Sequence, residues 1–181
     1  MEQRIVIAGN GGQGILLAGR LLALAAVTEE KEVTWFPCYG AEMRSGNAHC
    51  TVIISDRIIG APLVRTFDCC IAMSDSGYRR FAPHIRSGGV LIYDSGLIQA
   101  AASEHIRPFG IDALRLAAAE GTPRSANMVM VGALAALGSL VRLDTLQSAL
   151  KTLLGRGNTA RLDKNLALME KGYSNHADTS R

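Results

Sequence analysis

Several things are missing from this sequence, and each absence closes a class of function. The four cysteines, Cys38, Cys50, Cys69 and Cys70, show no C-x-x-C spacing, so this chain alone cannot build a zinc knuckle or an iron–sulfur cluster. They read as buried, reduced thiols, with the adjacent Cys69 and Cys70 on opposite faces of one strand. Charge is not gathered into a block: 19 Lys and Arg are scattered against 16 Asp and Glu, for a net +3. Nucleic-acid binding gains no support from that balance. No window offers the roughly 20 uncharged apolar residues that cross a bilayer, and the longest apolar stretch, 126–141, is interrupted by Asn127 and Ser139. Near the start, Glu2 and Arg4 lead straight into a strand pattern, without the basic region and apolar core of a secretory signal. A cytoplasmic chain with no membrane contact is the expectation.

A catalytic set is also missing. His49, His84, His105 and His176 each stand alone in the sequence, and their spacing makes no metal-binding helix motif. Ser74-Asp75-Ser76 offers capping oxygens for a helix rather than a nucleophile. The chain reads as catalytically incomplete, with no metal site.

What is present is an apolar chain of 181 residues with 48% hydrophobic content, enough for one compact domain over 1–181. Near its start, Gly9-Asn10-Gly11-Gly12-Gln13-Gly14 lies between the apolar runs 5–8 and 15–18. Strand, glycine turn and helix form the context in which G-x-G-x-x-G has physical meaning. Gly9 is expected to allow the turn, Gly11 a close approach to the backbone, and Gly14 close packing of helix on strand. Free N–H groups at the helix start favour an anion. A dinucleotide site also needs an acid at the end of the second strand, some 20 residues on, to hold the ribose. Here that strand ends in Trp35-Phe36-Pro37, and Glu32 stands at its other end.

Along the chain, strands are expected at 5–8, 32–36 (ended by Pro37), 50–55, 69–73, 90–94 and 105–109, with a short edge strand starting at 58–59. Residues 87–89 read as a turn, and Pro108 places the last strand near an edge. Helices are expected over 14–27, from a Ser74 cap to near Pro83, and over 112–120, 126–141, 143–154 and 159–173, before a frayed polar tail. Alternation of strands and helices predicts an α/β fold: a Rossmann-like, doubly wound, mostly parallel sheet with C-terminal covering helices. In such a sheet ligands meet the loops at the carboxyl ends of the strands. Tyr39, Gly40, Glu42, Arg44 and Asn47 are therefore expected to converge with the glycine turn. Arg44 would hold a phosphate or carboxylate, and Glu42 would accept from a hydroxyl or pair with Arg44. An ion pair that only fixes the loop is the plainer alternative.

The glycine turn, the run Tyr39-Gly40-Ala41-Glu42-Met43-Arg44-Ser45-Gly46, and Ser55-Asp56 followed by Ile59 and Pro62 together resemble the gamma subunit of the 2-oxoacid:ferredoxin oxidoreductases. Asn127 and the apolar helix around Gly132 fit the same pattern. The chain departs from it at Ala41, where the family has Pro, and at Ser45, where it has the first Gly of a pair. The resemblance implies one subunit of a complex that oxidatively decarboxylates a 2-oxoacid to acyl-CoA and passes electrons to ferredoxin, or runs in reverse. The wording of 32–35 and 51–56 favours the 2-oxoglutarate branch. Alpha, beta and delta subunits are the implied partners, and the complex as a whole carries the thiamine diphosphate, iron–sulfur clusters and coenzyme A. No cofactor is assigned to this chain alone, which is expected to be inactive in isolation and is a candidate homodimer through its apolar helices. The alternative from another class is a free-standing nucleotide-binding or regulatory module that uses Gly11 and Arg44 for a phosphate. An independent dehydrogenase is a third reading, weakened by the missing ribose acid.

Overall fold

A computed structural model of the chain describes residues 1–38, 46–101, 103–138, 140–155 and 159–179, the last four without their side chains. Tyr39, Gly40, Glu42 and Arg44 therefore lie outside the described residues. Six strands form one sheet: β1 (Glu2–Asn10), β2 (Glu32–Cys38), β3 (Asn47–Ser55), β4 (Phe67–Ala72), β5 (Ile85–Asp94) and β6 (Arg107–Ile111). Their spatial order is β2-β3-β1-β4-β5-β6. β3 pairs antiparallel with both β1 and β2, while β1, β4, β5 and β6 pair in parallel. Five strands thus point one way, and β3 alone runs against them.

The helices are α1 (Ile15–Thr28), α2 (Asp75–Phe81), α3 (Ala113–Ala119), α4 (Ala126–Gly138), α5 (Leu143–Leu154) and α6 (Thr159–Thr179). Alternation along the strands divides the core in two. Ile5, Ile7, Cys69 and Ile71 face α1 and the four C-terminal helices. Val6, Ala8, Cys70 and Ala72 face the other side with Phe81 of α2 and Ile98. Cys69 and Cys70 do lie on opposite faces of β4. The α/β sheet with its C-terminal cover stands as expected. None of the described helices is long and apolar enough to cross a membrane.

Where elements differ from the sequence reading, packing explains it. Pro37 does not end β2, because β2 is an edge strand with half of its N–H groups facing outward, so a missing donor is tolerated. Residues 87–89 are no turn but lie within β5. Gly88 takes φ +75°, its N–H donates to the His105 carbonyl at 2.7 Å, and the register with β4 shifts there. A bulge absorbs the extra residues and keeps the strand going. Residues 58–59 form no strand. α4 stops at Gly138 rather than 141, and α6 continues through Thr179, so the tail from Ser174 is helical for most of its length.

The C-terminal helices pack with their backbones in contact. A Cβ on Gly132 would stand 2.0 Å from the Met169 carbonyl oxygen, and one on Gly172 would stand 2.0 Å from that of Val129. These two glycines let α4 and α6 cross closely and in opposite directions, which buries an almost wholly apolar α4.

Candidate functional site

The carboxyl ends of β1, β4 and β5, together with the N-terminus of α1, enclose a crevice at the point where the chain winds off in two directions. This is where open parallel sheets bind ligands. Its first wall is the glycine turn. β1 continues through Gly9 and Asn10, so Gly9 is a strand residue rather than the turn itself. A Cβ there would come within 2.5 Å of Gln13 Oε1 and 2.8 Å of Ile15 Cδ1. Gly9 is the close-packing glycine, the part expected of Gly14. Gly14 instead caps α1 in the left-handed region at φ +73°, where a Cβ would meet Asn127 Nδ2 at 2.4 Å. The Asn127 amide donates to the Gly14 carbonyl at 3.1 Å and ties α4 to the start of α1.

Gln13 is a clamp. Its Oε1 accepts from the Asn10 backbone N–H at 2.6 Å, and its Nε2 donates to the Met73 carbonyl at 2.8 Å, joining the turn to the end of β4. Both ends of the side-chain amide are engaged inside the fold. Gly11 does not lend its N–H to a ligand either, since that group donates to the Gly46 carbonyl at 2.6 Å. Gly12, at φ +88°, is exposed with nothing within 4 Å of an added Cβ, and it is the glycine that faces open space.

Because β3 runs antiparallel, its first residue lies beside the last residue of β1, and Asn47 pairs with Asn10. That register brings Asn47 beside the glycine turn. Asn47 Oδ1 accepts from Ser76 Oγ at 2.7 Å, Ser76 Oγ lies 3.1 Å from Ser74 Oγ, and Ser74 Oγ accepts from the Gly77 N–H at 3.1 Å. Ser74 is the α2 cap as read, and Ser76 adds a polar bridge to β3 that its sequence position did not indicate.

Beyond Gln13 the crevice deepens into a pocket of about 190 Å³ lined by Gly12, Gln13, Met73, Asp94, Leu97 and Arg124, among others. Asp94 ends β5 and is 1% exposed. Its two carboxylate oxygens accept from Gly96 N at 3.1 Å and Leu114 N at 3.0 Å. Burial raises its pKa above the ordinary carboxylate value; the two backbone donors lower it by less, and Asp112 adds to the rise. Arg124, in the short 3₁₀ turn Pro123–Ser125 that leads into α4, is exposed at the rim. Sequence reasoning passed over both. An acid closing the apolar run 90–93 was the available signal for Asp94; for Arg124 there was none.

Electrostatically, α1 starts with no side-chain cap on its first N–H groups and no acid in its first turn. Those donors and the positive end of the helix dipole point toward the crevice, and Arg124 adds a full charge. The arrangement can hold an anion, and among the described residues it presents no activated nucleophile. Cys50, Cys69 and Cys70 are buried; desolvation pushes the thiols of Cys50 and Cys69 up to about 12 and that of Cys70 well above its ordinary value.

Comparison with known proteins agrees across almost the whole fold. Residues 4–175 match the family model described as pyruvate ferredoxin/flavodoxin oxidoreductase. The chain is 38% identical over 173 residues to ketoisovalerate oxidoreductase subunit VorA of Methanothermobacter marburgensis, which covers 94% of this chain and 36% of that relative. The chain thus spans about a third of the length of that relative. It is 33% identical over 177 residues to 2-oxoglutarate synthase subunit KorC of Methanocaldococcus jannaschii, covering 96% of this chain and 93% of KorC. Among solved structures, the 2-oxoglutarate:ferredoxin oxidoreductase from Magnetococcus marinus, with 2-oxoglutarate, coenzyme A and succinyl-CoA bound, superposes with a TM-score of 0.87 at 28% identity. That match covers 96% of this chain and 30% of the other. The relatives divide between ketoisovalerate and 2-oxoglutarate, so the branch favoured by the wording of 32–35 and 51–56 is not decided by them.

Proposed function

This chain belongs to the pyruvate ferredoxin/flavodoxin oxidoreductase family, and from that premise we propose that it is the gamma-type subunit of a complex that oxidatively decarboxylates a 2-oxoacid to acyl-CoA with ferredoxin as electron acceptor. The observation that carries this reading is the family match, which runs from residue 4 to residue 175 through every strand of the sheet. Residues 1–181 then act as one gamma-type domain beside alpha, beta and delta subunits, and the chain alone turns nothing over.

Thiamine diphosphate and iron–sulfur clusters belong to other parts of such a complex. The buried thiols of this chain stand on separate strands or separate faces, and no group of three His, Cys, Asp or Glu suited to a metal occurs among the described residues. These residues do not fit a cluster, and no electron-transfer step is assigned to them.

The role left to the chain is to bind and orient. The crevice suits the phosphate end of coenzyme A, a molecule present in the Magnetococcus marinus structure. The uncapped start of α1 and Arg124 would attract the phosphates, and Gly12 would let them approach the backbone. Gly9, Gln13 and Gly14 hold the turn in shape, while Gly11 and Asn47 fix its distance to β3. Tyr39, Gly40, Glu42 and Arg44 precede in sequence Gly46, whose carbonyl accepts from the Gly11 N–H; on that proximity along the chain they are the crevice's proposed companions. For the 2-oxoacid we favour 2-oxoglutarate, with ketoisovalerate as the second reading because VorA is the more similar relative.

Assays of the purified complex test these points separately. Acceptor reduction with 2-oxoglutarate, ketoisovalerate and pyruvate identifies the substrate, and silence with all three would overturn the functional reading. Arg124→Gln is expected to raise KM for coenzyme A about tenfold, the equivalent of one charge-assisted hydrogen bond, and to leave KM for the 2-oxoacid unchanged. An unchanged KM for coenzyme A would remove the crevice from its path.

A further inference from the structure

The connection between β3 and β4, residues 56–66, is an irregular segment whose two ends are fixed at the amino end of β1: Ser55 pairs with Glu2, and β4 starts beside it. Its first two residues are tied down. Asp56 N donates to the Met1 carbonyl at 3.1 Å, Asp56 Oδ2 accepts from the terminal amine at 2.6 Å, and Arg57 N donates to Ser55 Oγ at 3.1 Å. Beyond that point, no residue from 58 to 66 makes a hydrogen bond among the described residues. Yet this stretch carries two of the most exposed large apolar side chains of the fold, Ile58 at 89% and Leu63 at 71%, with Ala61 and Pro62 exposed between them. Val64 alone packs against the second core.

A stretch with no hydrogen bonds of its own and two aliphatic side chains in water is not explained by the stability of this domain. Apolar anchors on an exposed, irregular segment stiffened by Pro62 are what a protein groove takes up. We propose that residues 56–66 form a docking arm for a non-identical protein subunit of the same oxidoreductase, one that offers an apolar groove for Ile58 and Leu63 with carboxylates at its rim. The proposal rests on the complex-subunit reading above.

Two observations select this occupant. Arg57 and Arg65 flank the anchors, and Arg65 makes no ion pair among the described residues. A two-fold contact centred on the arm would bring Arg57 and Arg65 of one copy close to those of the other, with Asp56 already paired to the Met1 amine, so charge favours an acidic, non-identical surface. In VorA and in the Magnetococcus marinus chain, moreover, the region matching this fold is 36% and 30% of the whole, so further protein is joined to the same fold there. The arm also lies at the end of the sheet opposite the glycine turn, about 26 Å away along β1. Docking there leaves the crevice open.

The test is assembly. The chain is co-produced with the other subunits encoded for the complex, and association is measured by native mass spectrometry and size-exclusion with light scattering, using wild type, Ile58→Glu/Leu63→Glu and Arg65→Glu. The double variant is expected to fold normally by circular dichroism, since both side chains project into solvent. It should bind its partners at least about thirtyfold more weakly, and Arg65→Glu should weaken binding less and reduce its dependence on salt. Normal assembly of the double variant would overturn the arm while leaving the complex reading intact. Failure of wild type itself to associate would overturn both. Loss of a homodimer rather than of the hetero-complex would assign the arm to a second copy and overturn the proposal.

Discussion

Gly12 and Gly14 share a left-handed backbone but not their surroundings. An alanine at Gly12 meets only the conformational penalty, about 1 kcal/mol, because nothing lies within 4 Å of the new Cβ. At Gly14 the same change also drives into Asn127 Nδ2 and disturbs its bond to the Gly14 carbonyl, and about 2–4 kcal/mol is expected. Urea unfolding of the two variants reads the difference. Cysteine reactivity follows from burial. With thiols at about 12, Cys50 and Cys69 should resist a disulfide reagent at pH 8 in the folded chain, as should Cys70, and all should react after denaturation. Asp94 titrates with the opposite sign to the usual stabilising carboxylate. Its pKa is higher folded than unfolded, so the native state holds the proton longer. Its contribution to stability is therefore greatest at acid pH and falls as pH rises through the window just above the ordinary carboxylate value. Asp94→Asn puts an amide where two backbone donors need acceptors. The variant should be less stable than wild type, with a deficit that is largest in acid and shrinks toward neutral pH, as paired urea titrations would show.

At the scale of elements, the α4–α6 crossing is the least forgiving part of the molecule. A methyl at Gly132 or Gly172 would overlap a backbone carbonyl, which cannot rotate away as a side chain can. Either alanine variant is expected to lose about 3 kcal/mol or more, from overpacking and separation of the helices, visible as a large fall in melting temperature. This contact also shows where sequence reading ran out. The apolar run 126–141 announced a buried helix, but nothing in it named Gly172 as the partner of Val129, because the pairing is non-local. Strands with unbroken apolar runs, at 5–8 and 69–73, were legible for the reason that they are buried on both faces. The β5 bulge was misread as a turn because Ser87-Gly88-Gly89 carries the same composition in either setting. The crevice was half legible: its glycines and Asn47 were marked by local pattern. Asp94, Ser76 and Arg124 join it only through the topology of three other segments.

For the whole molecule, the arrangement is polarised. Crevice and glycine turn occupy the carboxyl end of the sheet and the arm the amino end, so substrate-side and assembly-side variants should separate in experiment. Arg124→Gln should change KM without changing complex mass, and the arm variants should do the reverse. The insertion of β3 between β1 and β2 bears on how such a chain comes into being. β1 and α1 are made before their sheet partners, and β1 has no strand beside it until residues 47–55 and 67–72 exist, so most of its pairing spans a long sequence separation. Such non-local pairing slows folding and leaves early segments unprotected. A fragment ending at residue 62 should be protease-sensitive and show no cooperative melt, and refolding of the full chain should have to await closure of the β1–β4 pair. A newly made subunit is thus committed to its fold late, and its arm is presented to a partner only once β4 has fixed both of its ends.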